Sequence, residues 1–337
     1  MMEMRQTRAH EPCEHGEGDA NRSEARPDHA GLSDAQYSQK YVTAILEKLQ
    51  GEVKEIALRF EPETGTLWTT MTPPGRPCFT RQLVDDYIHL FTSLNERLSG
   101  GAFQRSLPLK YIVYRSKTPQ IFSLGGDLEL FSRLIRERDE AGLRDYAHAC
   151  ARMTYLNSIS AGLPIITIAL VEGQALGGGL ESALSCNLIL AEKNASFGLP
   201  EVLFNLFPGM GAYSYLQRKT SARTAEKLML SGRSFHAEEM LQEGVIDLLV
   251  ENGEGEKAVR AYIERTQRRH NAQVGIYRTR RRVTPLSFEE LRDVTDIWVD
   301  CALGVGEADL RKMEKLVRAQ ERLRPAQGHP LHDVQVA

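Results

Sequence analysis

From residue 50 to 71 the stretches EVKEIALRF and GTLWTTM alternate apolar and polar positions around a turn signal at 61–65, which predicts a β-hairpin or two short strands. The period then changes. Over 81–98, Leu83, Tyr87, Leu90, Phe91 and Leu94 recur every three or four residues, the stripe of a helix with one buried face. The apolar run 111–114 predicts a short strand, after which comes the loop Ser123-Leu124-Gly125-Gly126-Asp127, and helical spacing returns over 128–138 and 143–160. The β-branched run 165–171 (IITIALV) has no polar alternation, as expected of a strand covered on both faces, and it leads into EGQALGGGLE. Further strands are predicted at 187–191 and 245–250, with helices at 222–230 and 237–243. Beyond Lys257 the patterns are helical, at 258–269, 288–303 and 308–322.

Strands alternating with helices, then helices alone, predict an α/β domain covered by a helical C-terminal subdomain. The expected organisation is a disordered tail at 1–38, a core at 39–257, the helical subdomain at 258–324 and a flexible tail at 325–337. Up to about Ser38 the chain is rich in Glu, Asp, His, Gly and Arg and nearly free of large apolar side chains, so burial cannot offset the entropy of ordering it.

Composition narrows the function classes. With 42% hydrophobic and 26% charged residues the chain has the balance of a soluble globular protein, and its net charge of -3 implies no whole-molecule attraction to nucleic acid or anionic membrane. No stretch approaches a membrane span and the N-terminus has no signal-peptide core, so a cytoplasmic location is expected. Cys13, Cys78, Cys150, Cys186 and Cys301 are scattered, without a CxxC pair or zinc-ligand spacing, and read as reduced thiols. No metal and no cofactor are expected; GxGxxG is absent from both glycine loops.

The candidate chemistry gathers at those loops, Leu124-Gly125-Gly126-Asp127 and Leu176-Gly177-Gly178-Gly179-Leu180-Glu181. Glycine lets backbone approach a ligand closely, and the second loop opens a predicted helix whose free N–H groups face any negative charge placed there. One donor from each loop would make an oxyanion hole, although a lone Gly-Gly pair reads more readily as an ordinary strand-to-helix turn. Glu181 sits among apolar neighbours, and Glu201 lies in the apolar stretch FGLPEVLFNLF. Taken singly each is explained by helix capping or solvation, Glu201 in particular by its place after Pro200. Taken with the glycine loops, the pair supplies a base for a C2 proton and an acid for a departing C3 hydroxyl.

The motifs FSLGGD, VEGQALGGGLESALSCNLILAE, ASFGLPEVLF and PGMGAYS together resemble the enoyl-CoA hydratase/isomerase (crotonase) superfamily. That resemblance implies a crotonase fold with a repeated ββα spiral core, a thioester oxygen held by the N–H groups of Gly126 (or Gly125) and Gly178, and Glu181 and Glu201 as catalytic acids. A homotrimer is usual in the superfamily. From about Leu58 to Leu323 the chain is most similar to the diffusible signal factor synthases, through RPCFTRQLVDD, GGDLELF, LIRERDEAGLRDYA, GLPEVLFNLFPGMGAYSY, DIWVDCALGVGE and LRKMEKLVRAQ. This family implies dehydration of a 3-hydroxyacyl-[acyl-carrier protein] to the cis-2-enoyl thioester, then hydrolysis to the free fatty acid. It also implies an acyl tunnel containing Met210, Trp298 and Leu316, and a sensor kinase as a partner that sequesters the synthase. All three tunnel residues read equally well as core.

The basic run Arg278-Thr279-Arg280-Arg281-Arg282 is a solvated cluster or a dock for an acidic carrier protein. Two other functions fit the residues: a 2-enoyl-CoA hydratase of fatty acid metabolism, and a regulatory protein that binds a sensor kinase. The sequence leaves open which glutamate starts protonated.

Overall fold

The computed structural model describes residues 33–100 and 107–322. The tails expected at 1–38 and 325–337 lie outside them, apart from residues 33–38, where the first helix begins. Helix α1 (Asp34–Glu52) is capped by Ser33, whose hydroxyl accepts from Gln36 N while Gln36 Oε1 accepts from Ser33 N. Strands β1 (Ile56–Glu61) and β2 (Thr66–Met71) form an antiparallel hairpin, as the alternation predicts. Thr80 caps α2 (Arg81–Leu98) at 3.0 Å from Leu83 N, and the apolar stripe from Leu83 to Leu98 is buried.

The chain then repeats one unit. A strand enters a large sheet, turns sharply into a short strand of a second sheet, and leaves through helix. The first repeat is β3 (Tyr111–Ser116), β4 (Gln120–Ser123), α3 (Leu128–Glu137) and α4 (Glu140–Ser158). The second is β5 (Ile166–Val171), β6 (Gly173–Leu176) and α5 (Gly178–Leu184). The third is β7 (Leu188–Glu192), β8 (Ser196–Gly198), the 3-10 turn Pro200–Phe204, α6 (Ala212–Lys219) and α7 (Ala222–Ser231). After β9 (Ser234–His236), α8 (Ala237–Gln242) and β10 (Leu248–Val250), the chain is helical: α9 (Gly255–Thr266), α10 (His270–Val283), α11 (Phe288–Leu303) and α12 (Glu307–Arg322). This is the crotonase fold, an α/β spiral with a C-terminal helical region.

The large sheet has the order β1-β2-β3-β5-β7-β10, parallel from β2 onward, and β5 at its centre is buried at every position. The small sheet has the order β4-β6-β8-β9, with β4, β6 and β8 parallel. Because these three strands run side by side, their C-terminal ends deliver loops 124–127, 177–181 and 199–201 to one place, as parallel sheets do at a ligand crevice. The short strands β4 and β6 correct one expectation: the glycine loops do not directly follow the long strands of the large sheet. A strand of four residues carries too little periodicity to declare itself. Helix α10 was also unanticipated, and it carries the basic run in its last turns.

Candidate active site

Loop 124–127 is tied down from outside. Leu124 N donates to Pro77 O and Phe79 N to Gly125 O, each at 2.8 Å, while the Tyr146 hydroxyl bonds both Asp127 N and Phe79 O. The Asp127 carboxylate caps α3 and is held by the buried Arg76 at 2.9 Å. The second loop turns at Gly177, whose φ of 50° and ψ of -124° suit glycine, and a Cβ there would collide with Glu201 Oε1. The loops touch: a Cβ on Gly178 would lie 3.3 Å from Gly126 N, and one on Gly125 would lie 3.2 Å from Gly178 N. Neither Gly126 N–H nor Gly178 N–H donates to another protein atom among the described residues, and Gly178 opens α5, where N–H groups have no partner within the helix. Two free donors thus stand together, the arrangement an oxyanion requires.

The two carboxyls meet at the same spot but in different settings. Glu181 is buried, and its Oε1 accepts from Met210 N at 2.7 Å and Ala212 N at 2.9 Å. Burial raises its pKa to about 7, against the opposing pull of the N–H groups of Ala212, Met210 and Gly211. Glu201 is half-buried, yet its Oε2 is closed to solvent and has no hydrogen-bond partner. Burial and then the charge of Glu181 push it up to about 8. The backbone N–H bonds favour charge on Glu181, whereas the unpartnered oxygen of Glu201 favours a proton there. The fold therefore sets the two carboxyls apart, favouring charge on Glu181 and the proton on Glu201, a distinction absent from the sequence.

Both carboxyls and both glycine loops line one cavity of about 570 Å³. Met210, Trp298 and Leu316 line it too, with Leu128, Phe131, Leu206 and Met313 forming the same apolar wall. Trp298 packs on Phe131 with ring centroids 4.8 Å apart, and the wall continues into a core shared by α3, α4, α11 and α12.

The family model for "Enoyl-CoA hydratase/isomerase" matches residues 89–280, more than half of the 337-residue chain. The chain belongs to the enoyl-CoA hydratase/isomerase family. Among relatives it is 35% identical over 151 residues to the "Probable enoyl-CoA hydratase 2, mitochondrial" of Arabidopsis thaliana, covering 44% of this chain and 48% of that protein. The chain thus spans about half the length of that relative. Among solved structures, enoyl-CoA hydratase from Bacillus halodurans superimposes with a TM-score of 0.64 at 21% identity, over 78% of this chain and 100% of that one. Pseudomonas aeruginosa DspI superimposes with a TM-score of 0.55 at 21% identity, over 80% and 97%. At these identities the structures speak for the fold.

Helices α11 and α12, which bring Trp298 and Leu316 to the cavity, lie beyond the span matched by the enoyl-CoA hydratase/isomerase family model. Sequence reasoning missed Phe131, Leu206 and Met313, whose apolar spacing is that of any core helix or loop. It also missed the polar wall residues Gln174, Ser196 and His236, which belong to the short strands it did not resolve. The basic run is not part of this cavity. Arg281 instead turns back onto Ser160 Oγ at 2.9 Å, and Arg280 lies over Tyr277. No group of three or more His, Cys, Asp or Glu positioned to hold a metal occurs among the described residues, and none of their helices is long and apolar enough to cross a membrane.

Proposed function

We propose that this chain converts a 3-hydroxyacyl-[acyl-carrier protein] into a free cis-2-unsaturated fatty acid, a quorum-sensing signal, by dehydration followed by thioester hydrolysis. One observation carries the reading: two carboxyls in unlike settings, Glu181 bonded by backbone N–H groups that favour its ionised form and Glu201 with an unpartnered oxygen that favours its protonated form, share one cavity with two free N–H donors and an apolar wall. With the thioester oxygen on Gly126 and Gly178, the donors stabilise the enolate formed when C2 loses its proton. The ionised carboxyl takes that proton and the protonated one releases the C3 hydroxyl as water. In the second step water adds to the thioester carbonyl carbon, the same donors hold the tetrahedral oxyanion, and the C–S bond breaks to give acid and thiol. Met210, Trp298 and Leu316 line the acyl chain's path.

Support for the finer reading comes from the resemblance to the diffusible signal factor synthases, which extends through DIWVDCALGVGE and LRKMEKLVRAQ, segments of the two helices beyond the matched span. The second reading is a hydratase of 2-enoyl-CoA thioesters, favoured by the names of the relatives. A purely regulatory role, binding a sensor kinase, leaves the complete acid pair without purpose, and a trimer remains compatible with either enzymatic reading. The test supplies purified protein with 3-hydroxyacyl thioesters of carrier protein and of CoA and identifies the products by mass spectrometry. A free cis-2 acid, abolished in Glu201→Gln and Glu181→Gln, supports the proposal. Reversible exchange between 3-hydroxyacyl-CoA and trans-2-enoyl-CoA, with no acid released, refutes it in favour of the hydratase.

A further inference from the structure

The cavity has two unlike walls. Towards α3, α11 and α12 it is apolar apart from Gln320 of α12, with Trp298 and Met313 buried. Towards the small sheet it is polar and opens outward. Strand register sets Gln174 opposite Ser196 and Ser196 opposite His236, so these residues form one row across β6, β8 and β9, and all three line the cavity. Their exposure is graded: Gln174 and Ser196 are half-buried, while His236, Ser234 and Arg233 at the rim are exposed. The row also leads to the acids, since β8 runs within three residues into Glu201 and β6 into Gly177.

Neither the Gln174 amide nor the Ser196 hydroxyl hydrogen-bonds to another protein group among the described residues, yet neither is sealed from solvent. Half-buried polar groups of this kind on a cavity wall are satisfied by water, which they hold in place. Dehydration needs no water from outside; it produces one. Hydrolysis consumes one, which must reach the thioester carbonyl without crossing the apolar wall occupied by the acyl chain.

We infer that the polar row Gln174–Ser196–His236 guides solvent water to the thioester carbonyl, making Gln174 and Ser196 positioning residues for the hydrolytic step alone. The inference rests on the function proposed above. Water from the row adds through its oxygen to the carbonyl carbon; one of its protons leaves with the thiol as the C–S bond breaks, and the other stays on the new carboxyl group. The bland alternative is that the row is simply the solvated edge of a small sheet, in which case its residues affect both steps alike or neither.

The experiment is a single turnover of a 3-hydroxyacyl-carrier thioester in 18O-labelled water by wild type, Gln174→Leu and Ser196→Ala, with the enoyl thioester and the free acid followed together. Appearance of the enoyl thioester at the wild-type rate serves as the internal control for folding. The expected result is one 18O atom in the wild-type acid, and in each variant a ratio of free acid to enoyl thioester about tenfold lower, the scale of one lost hydrogen bond in the barrier. An unchanged ratio in both variants overturns the inference. So does equal slowing of the two steps, or acid without 18O, which would mean that the water eliminated from C3 is the one consumed. A wild type that releases no acid refutes the proposed function itself, a result distinct from any of these.

Discussion

Replacing Glu201 with Gln removes its charge while keeping the shape of the protonated side chain. In the unfolded chain the Glu201 carboxyl titrates near its ordinary value of 4.5; in the fold, burial and the charge of Glu181 raise it to about 8. Between those values Glu201 holds a proton in the native state that it lacks in the unfolded state, so its own contribution to stability is greatest below 4.5 and falls as pH rises through the window. The slope is at most ~1.4 kcal/mol per pH unit, which sets a ceiling of about 5 kcal/mol across the window. Structural relaxation and water entering beside the half-buried residue bring the expected loss to on the order of 3 kcal/mol. Gln cannot ionise and escapes this loss. Urea unfolding from about pH 5 to about pH 8.5 should find the variant and wild type nearly equal at the acid end and the variant more stable by roughly 3 kcal/mol at the alkaline end. Glu181→Gln should gain less, because it weakens the charge-assisted bonds from Met210 N and Ala212 N. Parallel pH profiles for wild type and Glu201→Gln, or an alkaline variant weaker than wild type, would refute the assignment of the proton to Glu201.

Three further outcomes are expected. Gly178→Ala places a Cβ 2.5 Å from Met210 Sδ and 3.3 Å from Gly126 N, so turnover of the thioester should drop by on the order of 100-fold or more with little change in KM; a loss confined to KM contradicts an oxyanion role. Leu316→Trp, on the half-buried face of α12 that lines the cavity, should shift preference to shorter acyl chains while leaving unfolding nearly unchanged; unaltered chain preference with lost stability would make Leu316 plain core. The pH profile of kcat/KM should be bell-shaped, since activity needs one ionised and one protonated carboxyl, with its maximum between about 7 and about 8 and limbs that belong to the pair as a whole. A flat profile from about pH 6 to about pH 9 would contradict this.

Local pattern was sufficient for some parts of this molecule. The hairpin of β1 and β2, the stripe of α2, and the fully buried β5 each follow from a turn signal between two short strand-like runs, a period near 3.6, or the absence of polar alternation. The two glycine loops and the two glutamates could likewise be marked as chemistry-bearing, because their residue types are informative wherever they sit.

What the chain alone did not disclose depends on contacts between distant segments. The small sheet is built from strands of three and four residues, whose pairing is set by packing against the large sheet rather than by propensity. Without it there is no reason for residues 126, 178 and 201 to meet, nor for Gln174 and Ser196 to face the same space. The division of labour between the glutamates was also invisible, because both lie in apolar stretches and look alike. Only the fold brings Met210 N and Ala212 N to Glu181 and leaves an oxygen of Glu201 without a partner. A carboxyl's affinity for its proton is set by the dipoles and charges packed around it, and these come from parts of the chain that no local reading joins.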